Sequence, residues 1–123
     1  MKQHRLGHDE SLALSSHQLA AAFLSMRTPD ECLSLLEDLC TPAELEAMID
    51  RWRVALLLEQ GIPYREIHDQ TGVSVTTIGR VARFLSRGAG GYQLALERMK
   101  IVGDVEQPDQ TTAQGDDLEV PET

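Results

Sequence analysis

Residues 63–87, PYREIHDQTGVSVTTIGRVARFLSR, hold the pattern that decides the fold. Pro63 suits the first turn of a helix, Gly72 can adopt the left-handed conformation that ends it, and Ser74 can cap a second helix through its hydroxyl. Aliphatic side chains flank the turn and can pack between the two helices; they belong to Ile67, Val73, Ile78 and Val81. The stretch therefore predicts a helix-turn-helix, two helices joined by a three-residue turn.

The second predicted helix begins with small side chains that fit the major groove of DNA. Hydroxyls there can bond to base edges or phosphates, and the methyl groups of valine and threonine can contact thymine. The arginines that can hold phosphates are Arg65, Arg80, Arg83 and Arg87, and Arg65 can also reach a guanine edge. The candidate DNA-binding residues are Arg65, Ser74, Val75, Thr76, Thr77, Arg80 and Arg83. The alternative is a hairpin within a helical bundle, with the arginines on a solvated face.

The charge distribution favours DNA although the whole chain is acidic, with a formal net charge of -9 over 123 residues. Residues 51–100 hold eight basic and four acidic residues, a local net charge of +4. Residues 1–50 hold three bases and nine acids, and residues 101–123 hold seven acids and no base. The basic segment is therefore the one that carries the predicted helix-turn-helix, as phosphate binding requires.

The chain before residue 63 is predicted to be helical. Aromatic residues are few (one Trp, two Tyr and two Phe), so the core must be built from aliphatic helix formers. Thr28-Pro29 and Thr41-Pro42 each provide an N-cap hydroxyl and a proline suited to the first helical position. The three leucines at 56–58 spread apolar surface over several faces of their helix. This pattern fits a helix shared between intertwined subunits, or the central helix of a monomer.

Both ends of the chain are predicted to lie outside the folded domain. Residues 1–13 show no helical period, and residues 103–123 mix seven acids with Pro, Gly, Gln and Thr. We therefore expect both segments to be disordered. The remaining residues, 14–102, form one all-α domain in this prediction.

The sequence offers no sign of a reaction centre or a membrane segment. It lacks a Ser/His/Asp set, a nucleotide-binding glycine loop and an H-E-x-x-H motif, so we expect no enzyme, no catalytic residue, no metal site and no cofactor. Cys32 and Cys40 are too far apart to form a disulfide within one helix. No signal peptide is evident, and no apolar run approaches the ~20 residues that cross a bilayer. A cytoplasmic protein with reduced thiols and no membrane contact is predicted.

The chain resembles the Trp repressor superfamily, and within it the YerC/YecD-type relatives. The resemblance runs from about Leu33 through Met99 and rests on LSLLEDLCTPAELEAMIDRWRVALLLEQG and YREIHDQTGVSVTTIGRVARFL. It implies a six-helix protomer in an intertwined homodimer, with the region 33–61 crossing into the partner. In that family an amino-acid corepressor lies between a long central helix and the recognition helix. The positions that hold it match Thr41, Arg51 and Arg80.

Two residues depart from the pocket of the tryptophan-binding members of that family. Val81 and Phe84 stand where those members have glycine and serine, and added volume in a close-packed site costs about 1–3 kcal/mol. We therefore expect that tryptophan is not the effector, and any other effector is unknown. His68 also departs, because a helix-turn-helix usually has a small residue there. The simpler interpretation of Thr41 is a helix cap, and that of Arg51 is an ordinary ion-pair residue.

With the resemblance, these features predict a homodimeric transcription regulator of the repressor type. It would place Ser74 to Arg83 in successive major grooves of two-fold symmetric double-stranded DNA. One alternative is a dimeric helical module that binds a protein partner through the acidic tail or the surface at Val81 and Phe84. Another is a nucleoid or polymerase accessory protein that binds DNA with little sequence preference.

Overall fold

The computed structural model describes residues 5–106, which contain six helices and no strand. The helices are α1 (Arg5–Leu24), α2 (Pro29–Leu39), α3 (Pro42–Glu59), α4 (Tyr64–Thr71), α5 (Val75–Arg87) and α6 (Gly91–Glu106). The predicted all-α class with six helices is therefore confirmed. Within these residues no helix combines the length and the apolar character that a membrane crossing needs. By their contacts the described residues divide into two compact units, one that ends at Glu46 and one that begins at Ala47.

In the first unit, α1 begins well before the predicted start of the domain. The sequence predicts a disordered segment over residues 1–13; the structure assigns residues 5–13 of it to α1, and residues 1–4 lie outside the described part. No proline interrupts this segment, and Leu12, Ala13 and Leu14 are good helix formers. A helix that has formed further along the chain can therefore extend backwards through exposed residues that show no apolar period.

Two N-caps fix the starts of α2 and α3, as the sequence predicts. The Thr28 hydroxyl accepts a hydrogen bond from the Glu31 N–H at 3.1 Å. The Thr41 hydroxyl accepts one from the Glu44 N–H at 3.1 Å, and the Glu44 carboxylate accepts one from the Thr41 N–H at 2.8 Å. These bonds satisfy N–H groups that have no partner within the helix. Each helix therefore starts at a defined residue.

The core of the second unit forms around the turn between α4 and α5. Ile67, Val73, Ile78 and Val81 are all buried, and they cluster with Val54 and Ala55 of α3. Around this cluster, α5 packs against both α4 and α6. Further apolar side chains pack against it from its edges, namely Trp52, Leu57, Leu58, Ile62, Leu85 and Tyr92. The four residues predicted to lie between the two helices are thus the centre of the core.

At the other end of the second unit, α6 continues to Glu106. Of the predicted disordered tail, residues 103–123, the structure assigns residues 103–106 to α6, and residues 107–123 lie outside the described part. A single glycine, Gly103, weakens a helix by about 1 kcal/mol but does not end it, and the next proline is Pro108. The helix can therefore extend past the point where its apolar period stops.

The core assignment predicts different costs for the same substitution at two positions of α5. Val81 is 1% exposed, so we expect Val81→Ala to lower the free energy of unfolding by about 2 kcal/mol through lost burial and the cavity left behind. Val75 is 52% exposed, and Val75→Ala should change it by less than about 0.5 kcal/mol. Urea denaturation followed by circular dichroism measures both. Equal losses would contradict the assignment.

Candidate nucleic-acid interface

The turn between α4 and α5 consists of Gly72, Val73 and Ser74. Gly72 has φ of 78°, a left-handed conformation that favours glycine, and its N–H donates to the His68 carbonyl at 2.8 Å. The Ser74 hydroxyl accepts from the Thr77 N–H at 3.1 Å and so caps α5. Each residue does what the sequence predicts for it. We refer to residues 64–87 as the α4–α5 unit.

Two side chains of α4 brace this turn. The His68 ring Nδ1 lies 2.7 Å from the Val73 carbonyl oxygen, which can only accept, so the ring donates the hydrogen bond. The Thr71 hydroxyl donates to the Ile67 carbonyl at 2.7 Å and accepts from the Val73 N–H at 3.0 Å. A small residue could not make this hydrogen bond. This explains why His68 stands where a helix-turn-helix usually has a small residue. The sequence analysis missed Thr71, although a threonine directly before a helix-ending glycine is a signal for such a bond.

The first turn of α5 presents its candidate DNA-binding residues in different ways. Ser74, Val75 and Thr76 are exposed, whereas Thr77 is half-buried. The Ser74 hydroxyl donates to the Thr77 hydroxyl at 3.1 Å in addition to its role as the cap. The hydroxyl hydrogen of Thr77 is therefore left to donate to another group. The exposed edge of α5 offers a hydroxyl and a methyl group from Thr76, and an apolar surface from Val75.

The candidate arginines of the α4–α5 unit have guanidinium groups that are available to a ligand. Arg65, Arg80 and Arg83 are all exposed. In the described part of the chain the one ion pair joins Arg53 to Asp50, with 4.0 Å between Nη1 and Oδ1. The three candidates thus form no ion pair with another described residue. Their charges can interact with phosphates without first breaking such a pair.

The three candidate effector residues occupy different settings. Thr41, in the first unit, is exposed and its hydroxyl serves as the N-cap of α3. In the second unit, Arg51 on α3 and Arg80 on α5 are both exposed. The two departures from the tryptophan pocket also differ, since Val81 is part of the core and Phe84 is 50% exposed. Val81 therefore stabilises the fold, and it also adds side-chain volume at the position where the tryptophan-binding members have a smaller residue.

The described residues were also compared with the pattern that a metal site needs. Within that range, no group of three or more His, Cys, Asp or Glu side chains could hold a metal ion. Cys32 and Cys40 are both free thiols and are half-buried.

Comparisons with known proteins agree on one family. The family model for the Trp repressor protein matches residues 15–100. The chain is 40% identical over 83 residues to the uncharacterized protein YerC of Bacillus subtilis (strain 168), a match that covers 68% of this chain and 80% of that protein. It is also similar to the crystal structure of a TrpR-like protein from Eubacterium eligens ATCC 27750. That match has a TM-score of 0.67 and 36% identity, and it covers 72% of this chain and 91% of the other.

The hydrogen bond across the turn predicts a stability effect of His68. We expect His68→Ala to lower the free energy of unfolding by about 1 kcal/mol, because the Val73 carbonyl loses its donor. His17 is a matched control, since its ring also contacts a carbonyl, that of Ala13 at 3.0 Å, but within α1. His17→Ala should cost less than about 0.5 kcal/mol. Urea denaturation measures both, and an equal effect of the two variants would contradict a specific role of His68.

Proposed function

Because the chain belongs to the Trp repressor protein family, a family of DNA-binding regulators, we propose that it is a sequence-specific transcription regulator that binds double-stranded DNA as a homodimer. One observation carries the proposal: α5 begins with exposed Ser74, Val75 and Thr76 beside arginines without ion-pair partners among the described residues. A polar helix start flanked by cations suits a major groove lined by phosphates. We propose repression as the mode of regulation.

In this proposal the α4–α5 unit acts as a helix-turn-helix. The first turn of α5 enters the major groove, where Thr76 and Thr77 bond to base edges and the Val75 side chain contacts a thymine methyl group. Arg65 reaches a guanine edge or a phosphate from the first turn of α4. Phosphates on either side of the groove are held by Ser74, Arg80 and Arg83.

The exposure of apolar side chains in the first unit supports a homodimer. None of residues 9–46 is buried within the protomer. Several leucines are 42–85% exposed, namely Leu12, Leu14, Leu19, Leu24, Leu33 and Leu39. A protomer that exposes so much apolar surface needs a partner to cover it, and a second copy is the partner that the family resemblance implies. Two copies related by a two-fold axis would present two α5 helices to symmetric DNA.

We further propose that the regulator does not respond to tryptophan. The resemblance places a corepressor near Thr41, Arg51 and Arg80, but Val81 and Phe84 add volume where an indole ring would lie. The protein acts in this proposal through binding and not through a reaction, and it works in the cytoplasm. An effector of another shape is compatible with the same three residues.

A mobility-shift series on genomic fragments tests the DNA-binding proposal. We expect at least one fragment to bind far above the others, with two chains per site and with affinity that falls as salt rises. Thr76→Asp places a negative charge in the groove and Arg80→Ala removes a phosphate contact. Each variant should weaken binding roughly 10- to 100-fold.

The control for these two variants is Arg53→Ala, which removes an arginine of α3 that is paired with Asp50. It should leave the affinity nearly unchanged. Tight but uniform binding to all fragments would replace the proposal with an accessory role on DNA. Absent or salt-insensitive binding, with capture of a protein partner, would replace it with an interaction module.

Isothermal titration calorimetry tests the proposed indifference to tryptophan. No binding heat is expected when tryptophan is titrated to about 1 mM, because an indole ring would have to displace side chains that are larger than those of the tryptophan-binding members. Mobility shifts with and without tryptophan should coincide. A micromolar dissociation constant would contradict this part of the proposal and leave the DNA-binding part intact.

A further inference from the structure

The outer face of α5 and the first residue of α4 form an open groove that the sequence analysis did not predict. The residues that line it are Tyr64, Gly79, Ala82, Arg83, Ser86 and Arg87. Gly79, Arg83 and Arg87 follow one another at four-residue spacing, so they lie along one side of the helix. The groove is therefore a shallow, open strip along α5 from Gly79 to Arg87, beyond the first turn of the helix.

The charge of the groove is positive. Arg83 and Arg87 are both exposed, and neither forms an ion pair with another described residue. None of the six lining residues is acidic. Tyr64 and Ser86 add two hydroxyl groups that can donate hydrogen bonds. Two cations with hydroxyl donors and no anion fit a ligand that carries repeated negative charges.

Gly79 is a helix-interior glycine that the fold itself does not require. Its φ is not positive, and a Cβ atom placed on it would meet no atom within 4 Å beyond its chain neighbours and the nearby backbone of its own helix. Glycine destabilises the interior of a helix relative to alanine, so its presence here has a cost without a gain in internal packing. A glycine that faces open space on a helix allows another chain to approach the backbone closely.

We propose that this groove holds the sugar–phosphate backbone of one DNA strand. Arg83 and Arg87 contact neighbouring phosphates, Tyr64 donates to a phosphate oxygen, and Gly79 lets the strand approach the backbone of α5. The proposal rests on the proposed DNA-binding function, in which Arg83 already holds a phosphate, and adds Tyr64, Gly79 and Arg87 to that contact, which does not depend on base sequence. In this proposal Gly79 favours DNA binding although it lowers the stability of α5.

Two substitutions of Gly79 in the full chain separate binding from stability. Gly79→Ala and Gly79→Gln should both raise the melting temperature, by roughly 2–6 °C for alanine, because both residues favour a helix. Both should weaken DNA binding, with a loss of about tenfold or more for glutamine, whose side chain fills the groove. Gly91→Ala is the matched control, since a Cβ at Gly91 also meets nothing within 4 Å but Gly91 does not line the groove. It should leave the affinity unchanged.

The salt dependence of binding identifies the phosphates as the contacted groups. Fluorescence anisotropy is measured with the preferred duplex and with a duplex of unrelated sequence, over a range of salt. Arg87→Gln should reduce the slope of log K against log salt by about 0.9 on both duplexes, since one phosphate contact is lost. Arg53→Gln should leave both slopes as in the wild type.

The outcomes distinguish this inference from the DNA-binding function on which it rests. If the wild type binds its preferred duplex, but the Gly79 variants bind equally well and Arg87→Gln keeps the slope, the groove is not a strand site and the regulator proposal stands. Weakening on the preferred duplex alone would indicate base contact and would also overturn the inference. If the wild type binds neither duplex, both proposals fail.

Discussion

Close packing around a three-residue turn is the constraint on which the rest of the structure depends. The apolar side chains that flank the turn are buried and join α4 and α5 to α3; they belong to Ile67, Val73, Ile78 and Val81, which cluster with Val54 and Ala55. Dense packing of this kind permits one arrangement of the two helices and resists small shifts. The polar first turn of α5 is exposed as a consequence, so the residues proposed to read DNA are positioned by the core.

The caps and the turn that the sequence predicts correctly are set by residues within four positions of one another. The left-handed Gly72, the Ser74 cap and the Thr41 cap each depend on one backbone angle or one local hydrogen bond. The ends of α1 and α6 were not predicted, because exposed helix ends show no apolar period and extend by propensity alone. The hydrogen bond from His68 to Val73 and the groove at Gly79 were not predicted, because both depend on how α4 and α5 are arranged in space.

Val81 connects the specificity of the proposed site with the stability of the fold. The resemblance identifies it as a departure from the tryptophan pocket, and the structure buries it in the core that holds the α4–α5 unit together. Replacing it with glycine would open the pocket position and also leave a void next to Ile67 and Ile78. Phe84 differs, since its half-exposed ring can change at less cost to the core. Adaptation of this site to a new effector would therefore be easier at Phe84.

Trp52 is the sole tryptophan of the chain, and its ring stacks on Tyr92 with 6.3 Å between ring centroids and 11° between ring planes. The pair joins α3 to α6 and packs against the core without belonging to the α4–α5 unit. The intrinsic fluorescence of Trp52 therefore reports whether that core is intact. A change of emission on titration with an oligonucleotide would signal a rearrangement transmitted through the protein, whereas quenching by direct base contact would not be expected.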